Sequence, residues 1–305
     1  MKTTSDYVID TQSWLTLAVL ALIWGGSFMF VGVAVKELPA LLIVFARLGL
    51  AAAILLPLHL YFQGALPRDS KTWIACAGMS ILNNVLPFTA ISWGQHYISG
   101  GLASVINATT PMFGAAFMAL FAMEKLSLRK GLALALGLVG VIVLKEGKFG
   151  DLGAQSLGIL AVTFASACYG ISTVWAKKRL MGIAPITIAT CQLLSSATIM
   201  AVLVATFSTP SLYFAASSQT WAALIGLAAL STSIAYLIFF RINKRSGPSF
   251  VVLVTMLVPV SAILLGYWIL NEQLSLIQLV GAAIIFSALL IIDGRVLAKL
   301  GINLA

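Results

Sequence analysis

The chain has 305 residues, 61% of them hydrophobic and only 9% charged, with a net charge of +9 and a mean hydropathy of +1.05. A soluble domain is about 45–50% apolar and about 25% charged, so this is an integral membrane protein. Its apolar runs are too long and unbroken for barrel strands, which alternate over roughly 10 residues.

Residues 1–13 are polar, and the first apolar run ends without a small-residue cleavage pattern. It reads as a retained helix and not as a signal peptide. Ten spans are expected, over residues 14–35, 40–62, 72–95, 100–123, 131–145, 156–177, 184–206, 219–241, 248–270 and 274–292. The fifth is the shortest. The connecting loops leave no room for an extramembrane catalytic unit. Cys76, Cys168 and Cys191 lie inside apolar runs at unrelated spacings and read as small buried hydrophobes.

Two stretches fix the organisation. PMFGAAFMALFAMEKLSL (111–128) and PVSAILLGYWILNEQLSL (259–276) each open with Pro, reach a Glu (Glu124, Glu272) and close with Leu-Ser-Leu, at an offset of 148 residues. A repeat at nearly half the chain length marks an internal duplication. The expected units are residues 1–150 and 151–305, with five helices in each.

With the N-terminus placed in the cytoplasm, the inner segments hold Lys2, Arg68, Lys71, Lys125, Arg129, Lys130, Lys177, Lys178, Arg179, Arg241, Lys244, Arg245, Arg295 and Lys299. The outer segments hold only Lys36, Lys145 and Lys148. This bias follows the positive-inside rule with both termini cytoplasmic, and it accounts for the basic balance without a nucleic-acid partner. Five helices per unit force the second copy to enter from the opposite side. That is the inverted-repeat plan of many secondary transporters, with a solute site near the midplane.

Polar residues lining such a site should recur at the repeat offset. Trp24 and Ser27 pair with Tyr169 and Ser172, and Arg47 with Gln192, at 145. Asn84 and Phe88 pair with Thr232 and Tyr236, and Asn107 with Thr255, at 148. The Asn84–Phe88 and Thr232–Tyr236 spacing places each pair on one helical face. Polar groups in lipid face a partner or a wet cavity. Ser, Thr and Asn also serve simply to bridge neighbouring helices, so each has a structural alternative. Rings mixed with hydroxyls and amides suit a small, partly apolar, neutral or zwitterionic solute.

Arg47 is the one cation well inside a span, where an Arg costs about 2.5–3.5 kcal/mol on insertion scales. It is expected either to snorkel outward or pair with an acid such as Glu272, or to receive a substrate carboxylate. Glu124 and Glu272 read as caps and ion-pair partners at helix ends. No carboxylate lies mid-span. His59 and His96 fall near span ends and read as exposed loop residues. Pro87, Pro111 and Pro259 lie inside spans as candidate kinks, the last two as a symmetric hinge pair. No GxxxxGK[ST] loop, HExxH motif or Asp cluster is present, so no ATP, metal or other cofactor is implied. GxxxG is absent too, and the sequence does not set the oligomeric state.

ALIWGGSFMF (21–30), FARLGLAAAILLP (45–57), residues 100–144 and residues 249–292 together resemble the drug/metabolite transporter superfamily, in its ten-helix EamA-type branch. The resemblance covers nearly the whole chain. It implies a central cavity formed mainly by helices 1, 3, 4, 6, 8 and 9, cytoplasmic termini, and export or exchange of amino acids and other metabolites without ATP. Tyr169 and Gln192 depart from the family's more usual Trp and Arg. The expected partners are a small-molecule solute and the lipid bilayer. Efflux of organic cations and a non-transporting scaffold or receptor are the alternatives; an intramembrane enzyme would need a catalytic cluster that the sequence does not contain.

Overall fold

A computed structural model describes residues 7–145 and 153–295. The expected boundary at 150/151, together with Lys2, Lys148 and Lys299, lies outside the described residues. All regular structure among the described residues is helical, and eight helical stretches, three of them made of two consecutive helices, are long and apolar enough to cross a membrane.

The first of these, α1 (Thr11–Ala34), starts where Asp10 adopts extended backbone and its carboxylate accepts the Ser13 N–H at 2.9 Å. This satisfies a donor that the first turn leaves free. Pro39 sets the entry to α2 (Ala40–Gln63), which ends at Gly64 with φ +78°. α3 (Ser70–Ser80) is capped by Asp69, runs into a π turn over Ile81–Val85, and continues as α4 (Leu86–Gly94). Pro87 lies in the first turn of α4. Its ring lacks an N–H and crowds the carbonyl four residues back, so the chain widens there by one residue.

The fourth expected span is broken into α5 (Gly100–Asn107) and α6 (Thr110–Leu120), and α7 (Leu128–Leu144) follows. The second half repeats the order: α8 (Ala154–Arg179), α9 (Pro185–Phe207), a short α10 (Leu212–Ala215), then α11 (Ser218–Ala228). A second π turn, Ala229–Ile234, sits at the repeat position of the first and leads into α12 (Ala235–Ser246). No proline forces it. Instead Thr232 and Ser233 hydroxyls donate to the carbonyls of Leu227 and Ala228, five residues back, at 2.8 and 3.0 Å.

The ninth expected span is also broken, into α13 (Pro248–Val251) and α14 (Val254–Leu270), before α15 (Leu276–Asp293). The proline pair is therefore not equivalent. Pro111 lies in the first turn of α6, where its missing N–H costs nothing, whereas Pro259 lies inside α14 and deprives Thr255 of a helical donor.

Packing partners exchange under the repeat. α2 lies on α9 and α7 on α15, each against its own counterpart; α1 lies on α14 as α8 lies on α6. The α7–α15 crossing is close because Gly140 and Gly281 meet: a Cβ on either would sit 3.1 Å from the other's carbonyl oxygen. Leu15, Leu132, Val139, Ile277 and Val280 point outward and exposed, as lipid-facing surface requires. Between α2 and α9, Leu48, Leu55, Leu193 and Met200 form an apolar seam, and the buried polar residues emerge from it.

Candidate substrate site

Arg47 sits about two turns into α2, only 9% exposed. Its Nε donates to Thr232 Oγ1 at 3.0 Å, and its Cζ lies 3.7 Å from the Phe88 ring centroid. The repeat-equivalent pair does the same across the molecule: Gln192 Nε2 donates to Asn84 Oδ1 at 2.9 Å. α2 thus reaches the π turn of the second half, and α9 reaches the π turn of the first.

Around Asn84 the network closes. Its Nδ2 donates to Ser196 Oγ at 3.0 Å, and its Oδ1 also accepts from the Tyr236 hydroxyl at 3.4 Å. Ser196 in turn donates to the Gln192 carbonyl. The Tyr169 and Tyr236 phenols are both close enough to feel the Arg47 charge. Ser172 adds a further link, donating to Asn83 Oδ1 at 3.2 Å as well as to the Tyr169 carbonyl.

Arg47, Phe88, Asn84, Thr232 and Tyr236 therefore meet in one place, with Tyr169 and Ser172 on the same side. The others stand apart. Trp24 stacks at a tilt on Phe239, centroids 5.7 Å apart, and Ser27 donates to the Trp24 carbonyl of its own helix. Thr255 donates to the Val252 carbonyl within the α13–α14 break. Asn107 ends α5; its backbone carbonyl, released by Pro111, accepts from the Thr110 hydroxyl at 2.8 Å, and its side-chain oxygen has no partner among the described residues. Pro87 is buried beside the first π turn.

Two expectations are corrected. Arg47 does not pair with Glu272, whose carboxylate is taken by the Gly100 and Gly101 N–H groups at 3.0 and 3.1 Å. His59 is not an exposed loop residue; it is 1% exposed within α2, and neither ring nitrogen has a partner among the described residues. His96 is exposed, and the three cysteines are buried as expected. Glu124 is an ion-pair residue, but its partners are Lys130 at 2.9 Å and Lys177 at 3.3 Å, where the sequence pointed to the adjacent Lys125 and Arg129. The Lys130 hydrogen bond holds its carboxyl below the usual carboxylate range.

Sequence spacing missed Asn83 and Ser196. Ser196 is one helical turn beyond Gln192, a signal that was present. Asn83 is adjacent to Asn84, and only the widened π turn lets both amides serve the same region.

No ion pair to Arg47 exists among the described residues, and only its Nε finds a hydrogen-bond acceptor there. The guanidinium fork is thus a buried cation with two donor nitrogens uncommitted. Its planar geometry matches a carboxylate bidentately.

Residues 12–145 and 156–293 each match the model of the EamA-like transporter family. The chain is 26% identical over 307 residues to "Uncharacterized transporter YvbV" of Bacillus subtilis, covering 96% of each chain. It is 25% identical over 283 residues to "Uncharacterized inner membrane transporter YedA" of Escherichia coli K12, covering 92% of this chain and 90% of that protein. A solved crystal structure superposes with a TM-score of 0.65 at 17% identity, over 97% of this chain and 100% of the other, and shares the fold.

Proposed function

The chain belongs to the EamA-like transporter family, and from that premise we propose that it is a ten-helix secondary transporter moving a small carboxylated metabolite, foremost an amino acid, outward by alternating access. Residues 1–150 and 151–305 are the two five-helix units, inserted in opposite orientations. α7 and α14, at 17 residues each, serve as the fifth and ninth crossings. Both termini face the cytoplasm of a bacterial-type cell membrane, as the distribution of Lys and Arg favours.

The observation that carries this reading is the Arg47 guanidinium, which has no ion pair among the described residues and is held by Thr232 and Phe88 between the two π turns. A buried charge without a counter-ion is costly. A solute carboxylate supplies the missing partner and the amides and phenols around Asn84 and Tyr236 supply polar contacts to the rest of it. Trp24, Ser27, Asn107, Tyr169, Ser172 and Thr255 line the path to that site. An organic cation fits less well, because Arg47 already occupies the Phe88 face and repels a second cation.

The test is counterflow in proteoliposomes against amino acids, nucleosides and quaternary amines. Saturable exchange of a carboxylated solute, lost in Arg47→Ala, is the expected result. A response to quaternary amines alone overturns the substrate class, and no flux for any member of the panel favours a scaffold or receptor.

A further inference from the structure

We infer that Glu272 and Glu124 are alternating gate latches for the transport cycle, and that this structure holds the Glu272 latch shut and the Glu124 latch open. The inference rests on the inverted-repeat reading above.

Glu272 follows α14 across Asn271, which takes a left-handed conformation with φ +55°, and its own N–H is held by the Gly266 carbonyl at 3.0 Å. From there its two carboxylate oxygens grip the first turn of α5 through Gly100 and Gly101. α1 completes the corner. A Cβ on Gly32 would lie 3.7 Å from Glu272 Oε1, and one on Gly100 would lie 3.0 Å from the Phe28 carbonyl oxygen. One side chain thus ties the end of α14 to the start of α5, with α1 packed against the same corner.

A shift of 148 residues takes Glu272 to Glu124, and Gly100–Gly101 to Pro248–Ser249 at the start of α13. Glu124 instead faces Lys130 and Lys177, with its side chain 41% exposed, and α6 packs on α8 and α7.

The sequence explains which latch is shut. Proline has no N–H, so the corner around Pro248 offers one backbone donor fewer than the corner around Gly100. A carboxylate bound by two N–H groups outcompetes one bound by fewer. The shut corner also stays breakable. Gln95 is 6% exposed beside Gly100, and neither atom of its carboxamide finds a partner among the described residues. Unsatisfied buried groups penalise the closed arrangement and ease its opening.

The test needs no known solute. Spin labels are placed on cysteines introduced at exposed His96 and Gln273 across the Glu272 end, and at exposed Leu126 and Lys244 across the Glu124 end. The buried native cysteines stay unlabelled. Pulsed dipolar distances are compared in the parent, Glu272→Gln and Glu272→Asp. Gln turns an amide toward one of the two N–H groups, and Asp is one methylene too short to reach both.

In both variants the 96–273 distance is expected to lengthen by about 5 Å or more, the scale of a one-turn shift, while 126–244 shortens. Unchanged distances in Glu272→Asp, the variant that keeps the charge and is the safer to fold, overturn the latch. Counterflow on the same samples separates the two ideas. Flux with unmoved distances rejects the latch and keeps the transporter; moved distances without flux for any solute do the reverse.

Discussion

Arg47 Nε stands 3.0 Å from Thr232 Oγ1, and the residues at the same two repeat positions, Gln192 and Asn84, form the mirror bond at 2.9 Å. The mirrored bonds differ in one respect: only the first has a charged donor. Arg47→Lys keeps that charge but gives up both the Nε bond and the planar fork. If the fork receives a carboxylate, the apparent affinity for the counterflow solute should fall by tenfold or more, equivalent to about 1.4 kcal/mol. Arg47→Gln, which copies the second half, should fold and yet exchange no carboxylated solute. Size-exclusion profile and counterflow, measured on the same preparation, check both outcomes.

Thr232→Val isolates the other end of the bond. The substitution preserves shape, removes the acceptor for a charged donor, and removes the hydroxyl that bridges the π turn to Leu227. A hydrogen bond to a charged group contributes about 1.5–3 kcal/mol. Thermal unfolding in detergent should show a clear loss of stability. Amide exchange along α11 and α12 should change with it, because the turn loses the contact that keeps it wide.

The symmetric positions are legible in the sequence because a repeat writes them at nearly fixed offsets, 145 in the first two helices and 148 beyond. Arg47 with Gln192, and Asn84 with Thr232, stand out that way. What the offset could not say is who bonds to whom. The bonds run from Arg47 to Thr232 and from Gln192 to Asn84, a fact of packing between α2, α9 and the two π turns. The π turns themselves have no common sequence signature: one adjoins Pro87, and the other is propped by the hydroxyls of Thr232 and Ser233. His59 was misread for a related reason. It falls inside the expected span 40–62, and nearness to a span end does not say which face of the helix a residue occupies; His59 lies on the enclosed face of α2.

Pro111 and Pro259 occupy the same repeat position but different helical contexts, so their replacements should differ. Pro259→Ala restores an N–H that can reach the Thr255 carbonyl inside α14, and interior prolines cost a helix up to about 3 kcal/mol. The expected result is a higher unfolding temperature with slower counterflow, since a straighter α14 resists bending. Pro111→Ala should leave stability within about 0.5 kcal/mol, because a first-turn N–H has no helical acceptor to regain.

The α7–α15 crossing tolerates no side chain on either glycine. A Cβ on Gly140 would come within 2.6 Å of Ile285 Cγ1 and 3.1 Å of the Gly281 carbonyl oxygen, and one on Gly281 would meet Leu144 at 2.6 Å. Gly140→Ala should cost about 1–3 kcal/mol, the usual range for overpacking. The double change Gly140→Ala with Ile285→Ala, which removes the contacting Cγ1 itself, should cost less than the sum of the two single changes in the same thermal assay.

Asp10 ties the start of α1 to the end of α12. Its carboxylate accepts from the Ser13 N–H and hydroxyl and pairs with Arg245 at 2.7 Å. These contacts, the Ser13 bonds foremost, hold its pKa below the ordinary value. A carboxyl depressed by folding stabilises the folded chain fully above the unfolded pKa, near 3.9, and loses that contribution as pH falls through the lower folded value. Asp10→Asn keeps a capping oxygen but carries no charge, so it lacks this dependence. The unfolding temperature of the parent should exceed that of Asp10→Asn at pH 7, and the gap should narrow progressively below about pH 4. A gap that stays constant down to pH 2 would show that the Arg245 pair and the charged cap contribute nothing to the fold.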